Sequence, residues 1–202
     1  MYESLSLISI YSSKANTSVD DLVAIHRYPH ISPSDYRALQ EFCNAHFSIS
    51  GTIRIMPSFM VSNNARESLF YPQAFVIFES NENYYTEREN FQSYEICYTL
   101  DGTGYLEYNQ KSYTLKKGEG FFINCRQKHL YKTLGGTWNS TVLHFDGILA
   151  ENFFNQFSKD GSVKFSQVDC PNFEMYQYEL LKTAEEVIPY KEYRISCLFD
   201  SG

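Results

Sequence analysis

Apolar positions change their spacing twice along this chain. From about residue 53 to residue 145 they alternate with polar ones in short β-branched or aromatic runs, the period of half-buried strands, and on either side they recur at three- and four-residue steps, the period of helices. The alternation predicts strands at 53–56, 74–79, 94–100, 104–109, 111–115, 119–124, 129–133 and 138–145. Between them, Asp101-Gly102-Thr103-Gly104, Asn109-Gln110, Lys117-Gly118 and Leu134-Gly135-Gly136 supply residues that tolerate positive φ, so each is expected to reverse the chain. Eight short strands with tight turns describe a sandwich, jelly roll or barrel.

The helical stretches flank this region. Ser32-Pro33-Ser34-Asp35 reads as a helix start, with Ser32 as N-cap, and Tyr36, Leu39, Phe42, Cys43 and Phe47 form one stripe that Gly51 ends. Residues 1–31 carry short apolar runs of ambiguous period. After Asp146-Gly147, a stripe of Leu149, Phe153 and Phe157 stops at Asp160-Gly161. A second helix is predicted from 172 to 188, with Tyr176, Leu180, Leu181, Ala184, Val187 and Ile188 on one side and Pro189 closing it. A third pattern from Tyr190 runs to Gly202 without a closing cap, and the chain is expected to stop mid-architecture.

Composition narrows the function classes. The 202 residues are 43% hydrophobic and 20% charged, which excludes general disorder. Aromatic residues reach 17%, through 17 Tyr and 16 Phe against one Trp, a bias suited to strands, cavity walls and interfaces. The net charge is -7, and no basic run exceeds Lys116-Lys117, which argues against the segment gripping phosphate backbones by itself. Five cysteines (Cys43, Cys97, Cys125, Cys170, Cys197) lie far apart without metal-type pairing and read as reduced thiols in a cytoplasmic protein. There is no membrane-length apolar segment, no GxSxG elbow and no phosphate-cradling GxxxxGK[ST] loop, so hydrolase and nucleotide-hydrolysis chemistry lack support.

Two segments carry more specific information. Glu95 precedes the Gly102 turn, and Gly118 precedes His129 by a turn and a strand; together these resemble the two cupin motifs of a jelly-roll barrel. Metal-binding cupins place two histidines just before the glutamate, where this chain has Glu89 and Phe91. Glu95 and His129 alone are too few ligands for a divalent cation, so no metal and no cofactor are expected.

With the flanks included, the resemblance narrows. The ordered set Arg88, Tyr94, Gly102-Thr103-Gly104, Tyr113-Thr114-Leu115, Gly118, Phe122-Ile123-Asn124-Cys125-Arg126, His129-Leu130-Tyr131, Trp138 and Leu143-His144-Phe145-Asp146-Gly147 is similar to the effector-binding domain of AraC-type transcription regulators. It spans about Pro57 to Phe157, and extends loosely over the final helices. The resemblance implies a mainly β fold with α additions: a cupin-like jelly-roll barrel at 53–146, a helical dimerisation segment at 147–202, and an unassigned extension with one helix at 1–52. It implies a non-enzymatic sensor that binds a small-molecule effector, a carbohydrate above all, and forms a homodimer. DNA would be bound only by a helix-turn-helix domain absent from these residues. A small metal-dependent cupin enzyme is the alternative.

The family's effector contacts fall on Arg88, Tyr131, Ser140 and Val142. His129 and Glu95 join them from the cupin motifs, and Trp138 and His144 share the strand face of Ser140 and Val142, because residues two apart point the same way. By the same parity Glu95, Cys97 and Thr99 line the barrel rather than Tyr94, Ile96 and Tyr98. Each residue also has a plainer reading: Arg88, between Glu87 and Glu89, as a solvated turn residue; His129 as a core histidine bonded to a backbone carbonyl; Trp138 as a packing anchor. An inward Glu95 without a metal needs a partner such as Arg88, since a lone buried carboxylate is costly.

Overall fold

A computed structural model of the chain describes residues 1–12, 44–48, 50–56 and 59–200. Ten strands are present among them: β1 (Ile8–Ser12), β2 (Asn44–Ser48), β3 (Gly51–Ile55), β4 (Phe70–Asn81), β5 (Tyr85–Glu89), β6 (Tyr94–Tyr108), β7 (Lys111–Lys116), β8 (Glu119–Asn124), β9 (His129–Gly147) and β10 (Lys164–Ser166). A short helix α1 (Asn63–Ser68) precedes β4, α2 (Ala150–Phe157) follows β9, and α3 (Phe173–Glu185) and α4 (Lys191–Asp200) follow β10. The mainly β fold with added helices is the one expected. Among the described residues, no helix is long and apolar enough to cross a membrane.

Two strands organise everything else. β6 and β9 pair antiparallel from Tyr94↔Phe145 to Tyr108↔His129. At one end β4 and β8 flank this pair, and at the other β5 and β7 do so. The main hydrogen-bonded order, β1-β3-β4-β9-β6-β8-β10, does not return to its first strand, so the sheet is folded over rather than closed into a ring among the described residues.

This corrects two expected turns. Asp101–Gly104 and Leu134–Gly136 lie inside β6 and β9, which makes one long strand of each predicted pair. The glycines bend the strands instead of reversing them: the β6–β9 register shifts on either side of Asp101-Gly102, and Gly102 sits at φ +76°. Gly104 lies beneath the indole of Trp138, where an added Cβ would fall among the ring atoms. The strands β1, β2, β5 and β10 were not anticipated. The expected helix from Ser32 falls largely outside the described residues, and its last portion, 44–48, is strand β2, paired with β5.

Both faces of the central sheet are buried, and the aromatic residues are divided between them. Across paired strands, the face carrying Glu95, Cys97 and Thr99 also carries Val142, Ser140 and Val76. On the reverse face Tyr94 meets Phe154 at 5.8 Å between ring centroids, Tyr98 meets Phe173 at 4.9 Å, and Phe122 meets Phe153, Phe154 and Phe157 within 5.8 Å. Tyr94 and Tyr98 therefore belong to the layer between sheet and helices, not to a pocket wall. Phe145 and Phe70 complete that layer against Phe199 of α4, at 4.7 and 5.6 Å.

The terminal helices depart from expectation in one respect. Leu180 and Leu181 are buried within the chain, whereas Val187, placed on the same stripe, is fully exposed because α3 ends at Glu185. Tyr2 and Leu5 are buried as well. The Tyr2 hydroxyl donates to Gln177 Oε1 of α3 at 2.7 Å, and Tyr2 packs on Phe75 of β4.

Candidate functional site

Strand β5 reads Tyr85-Thr86-Glu87-Arg88-Glu89, and its burial alternates, with Thr86 and Arg88 turned in. Glu87 and Glu89 are only half-buried, and Glu87 meets Lys128 at 3.0 Å. Arg88 is thus carried into the interior by strand parity rather than left in a solvated turn. Its Nη2 donates to Glu95 Oε2 at 2.6 Å and to the Tyr131 hydroxyl at 2.8 Å, and lies 3.5 Å from His144 Nε2. Phe91 and Tyr131 flank the guanidinium, with ring centroids 5.0 and 5.9 Å from Cζ.

Glu95 is completely buried opposite His144 in the β6–β9 ladder. Burial pushes its carboxyl above the ordinary value, while Arg88 and hydrogen bonds from Tyr131 and Cys125 pull the other way. Arg88 cannot shed its proton, and a buried guanidinium without a counter-ion would cost several kcal/mol, so the ion pair is the stable arrangement at neutral pH. Its Oε2 takes the contacts from Arg88 and, at 3.5 Å, from the Cys125 thiol; Oε1 is buried without a hydrogen-bond partner.

The two histidines are held in defined tautomers. His129 Nδ1 lies 2.8 Å from the Gln127 carbonyl, which can only accept, so Nδ1 carries the proton and Nε2, buried and without a partner, is an acceptor. Burial, and then Arg88, lower its pKa to about 3. Ser93 gives its hydroxyl proton to the Tyr94 carbonyl at 2.8 Å, so at 3.0 Å it accepts from His144 Nδ1. His144 Nε2 then faces Arg88 as a lone pair. Burial and Arg88 keep that imidazole neutral, its pKa well below the usual histidine value.

Of the residues singled out from the sequence, Arg88, Glu95 and Tyr131 meet directly. His129 stacks against Tyr131 with ring centroids 6.2 Å apart. Trp138 stands edge-on to Tyr131 at 6.1 Å and donates its Nε1–H to Thr99 Oγ1 at 3.0 Å, the contacts of a packing anchor. Ser140 and Val142 are buried on the same face, opposite Thr99 and Cys97. Sequence reasoning passed over Ser93, Phe91 and Cys125, and left His144 as one position among four. Cross-strand pairing with Glu95 distinguishes His144, and that information is not local.

Glu95, Cys125 and His144 present donor atoms within 4.8 Å of one another. They do not fit a cupin metal. Arg88 Nη2 lies within hydrogen-bonding reach of both Glu95 and His144, so the guanidinium stands where an ion would sit. At the two positions of the metal-binding histidines, Glu89 is turned toward the outside of β5, and Phe91 lays its ring against Arg88 and His144.

A family model described as the AraC-like ligand binding domain matches residues 71–184. Similar solved structures include the AraC-like transcriptional activator CuxR, at 10% identity over 97% of this chain and 69% of that one, with a TM-score of 0.47. They also include a predicted oxalate decarboxylase from Thermotoga maritima, at 17% identity over 49% of this chain and 84% of that one, with a TM-score of 0.37. The cupin domain of Schizosaccharomyces pombe Cnp3 is similar at 14% identity over 50% of this chain and 69% of that one, with a TM-score of 0.37. A search of curated protein sequences finds no match. With more than half of its length matched by one family model, and that match spanning every residue of the buried cluster, the chain belongs to the AraC-like ligand-binding-domain family.

Proposed function

We propose that the chain is the effector-sensing part of an AraC-type transcription regulator of the cytoplasm, and that its effector is a carbohydrate or similar polyhydroxylated molecule bound inside the folded sheet. The observation that carries this reading is the buried Arg88–Glu95–Tyr131 cluster, in which a carboxylate oxygen and an imidazole nitrogen are left without partners beside three aromatic rings. Such a wall suits a molecule with hydroxyls on its rim and apolar C–H faces. Arg88 and Tyr131 bond the hydroxyls, His129, Ser140 and Glu95 extend the polar rim, and Trp138 and Val142 pack the faces.

The same reading assigns three organisational units: an extension at 1–52, the barrel at 53–146, and a helical segment at 147–202 through which two copies associate. The dimer surface is drawn from the exposed apolar side chains Met175, Val187, Tyr190 and Tyr193 rather than from Leu180 and Leu181, which the chain buries by itself. DNA contact belongs to a helix-turn-helix domain outside these residues, and the domain is a sensor without catalysis. A thermal-shift screen with pentoses, hexoses and disaccharides tests the reading, since a ligand that binds only the folded state raises its stability. A shift that Arg88→Ala abolishes supports it, and no shift with any sugar removes it. Stoichiometric bound Fe, Mn, Ni or Zn in the purified protein would favour a cupin enzyme instead.

A further inference from the structure

Two of the unsatisfied groups inside the sheet can only accept, while a third, the Ser140 hydroxyl, can donate or accept. His129 Nε2 is a lone pair, because its Nδ1–H is committed to Gln127; Glu95 Oε1 is a carboxylate oxygen; and both are buried with no hydrogen-bond partner. His144 adds a second lone pair, because its Nδ1–H is committed to Ser93, whose own proton goes to Tyr94. The cation that could balance an incoming anion, Arg88, already holds Glu95 at 2.6 Å and Tyr131 at 2.8 Å. A carboxylate entering here would meet the histidine lone pairs and the like charge of Glu95, which competes for the guanidinium, with the neutral Ser140 hydroxyl as a weaker donor, and a buried charge left without a counter-ion is strongly disfavoured.

We infer that this site selects its ligand by hydrogen-bond polarity: it takes molecules that bring donors, neutral polyols and amino sugars, and it excludes sugar acids, with Glu95 as the residue that determines the exclusion. The inference rests on the reading of the site as a sugar pocket, and it deepens that reading by fixing the charge class of the ligand. Specificity of this kind comes from the mismatch presented to the wrong ligand as much as from contacts to the right one.

Two measurements on the protein separate the inference from the reading beneath it. Histidine side-chain 15N–1H correlation spectra of the unliganded protein at pH 7 report the tautomers directly. Both His129 and His144 are expected as neutral Nδ1–H forms, and an Nε2–H tautomer or an imidazolium at either overturns the acceptor lining. Calorimetric titration then compares glucose with glucuronate, galactose with galacturonate, and glucosamine with glucuronate. The neutral or aminated member of a binding pair is expected to bind at least about tenfold more tightly than the acid, and Glu95→Gln should narrow that ratio. Tighter binding of an acid overturns the inference. If nothing in the panel binds while both imidazoles show the expected tautomer, the acceptor lining stands and the sugar reading falls.

Discussion

His144 and Phe145 are consecutive residues of β9 that face opposite sides of the sheet. The imidazole lies within 3.5 Å of both Arg88 and Glu95, and the Phe145 ring packs on Phe199 of α4 with centroids 4.7 Å apart. One peptide unit therefore joins the buried polar cluster to the last helix of the chain. A ligand that changes how His144 and Glu95 are held biases α4 only as far as it binds one arrangement better than another. Truncating Phe145 to Leu is expected to leave binding within about threefold of wild type while reducing any ligand-induced hydrogen-exchange protection in residues 191–200, because the contact is lost on the helix side only. Unchanged protection in the variant contradicts the coupling.

Breaking the buried pair costs more than removing it. Arg88→Met leaves Glu95 as an unpaired interior charge and should destabilise the fold by about 3–5 kcal/mol. The double variant Arg88→Met/Glu95→Leu replaces both charges with apolar groups of similar bulk and should regain most of that loss. Urea unfolding of the four proteins of this cycle gives the coupling energy. Additive losses would mean that the 2.6 Å contact carries no linkage.

The bend in β6 depends on a glycine without a side chain. A methyl group at Gly104 would collide with the Trp138 indole, so Gly104→Ala should cost about 1–3 kcal/mol and alter Trp138 fluorescence, which is free of interference because the chain has one tryptophan. Gly136→Ala, with open space around the added carbon, should stay within about 0.5 kcal/mol of wild type. Equal effects at the two positions would remove the steric account.

Acid stability depends on the imidazoles. In the unfolded chain His129 takes up its proton near pH 6.5, whereas the folded chain resists until about 3. Between those values the unfolded state binds more protons, so this contribution to stability is lost as the pH falls, at about 1.4 kcal/mol per unit. Glu95, whose pKa is raised, acts in the opposite direction, but it is common to wild type and to a His129→Gln variant. Comparing their unfolding free energies between pH 6.5 and 4.5 isolates the histidine: the wild type should show the steeper acid loss by about one proton. Parallel curves contradict the buried neutral assignment.

Much of the inward face of the folded sheet was legible because strand parity is local. With Glu95 and His129 anchored by the cupin resemblance, parity added Cys97 and Thr99 on one strand and supported Tyr131 on the other, and all five are buried. Arg88 was ambiguous for the same reason: three consecutive charged residues look like a turn until Thr86 and Arg88 are seen to share a face of β5. The continuity of β6 and β9 was hidden because glycines that bend a strand and glycines that end one have the same composition. Leu180 and Leu181 show a further limit, since an apolar stripe does not say whether it is covered by its own chain or by a second copy. Ser93 and Cys125 became visible only when β6, β8 and β9 were brought side by side.

Trp138 stands 6.1 Å from Tyr131, and so within reach of anything bound beside Arg88. Titrating neutral sugars while recording Trp138 fluorescence is the most direct test of a buried effector site. The account predicts a saturable change with at least one of them, lost in Arg88→Ala. Binding that calorimetry detects, that leaves Trp138 emission unchanged and that survives Arg88→Ala, would place the ligand elsewhere and contradict it.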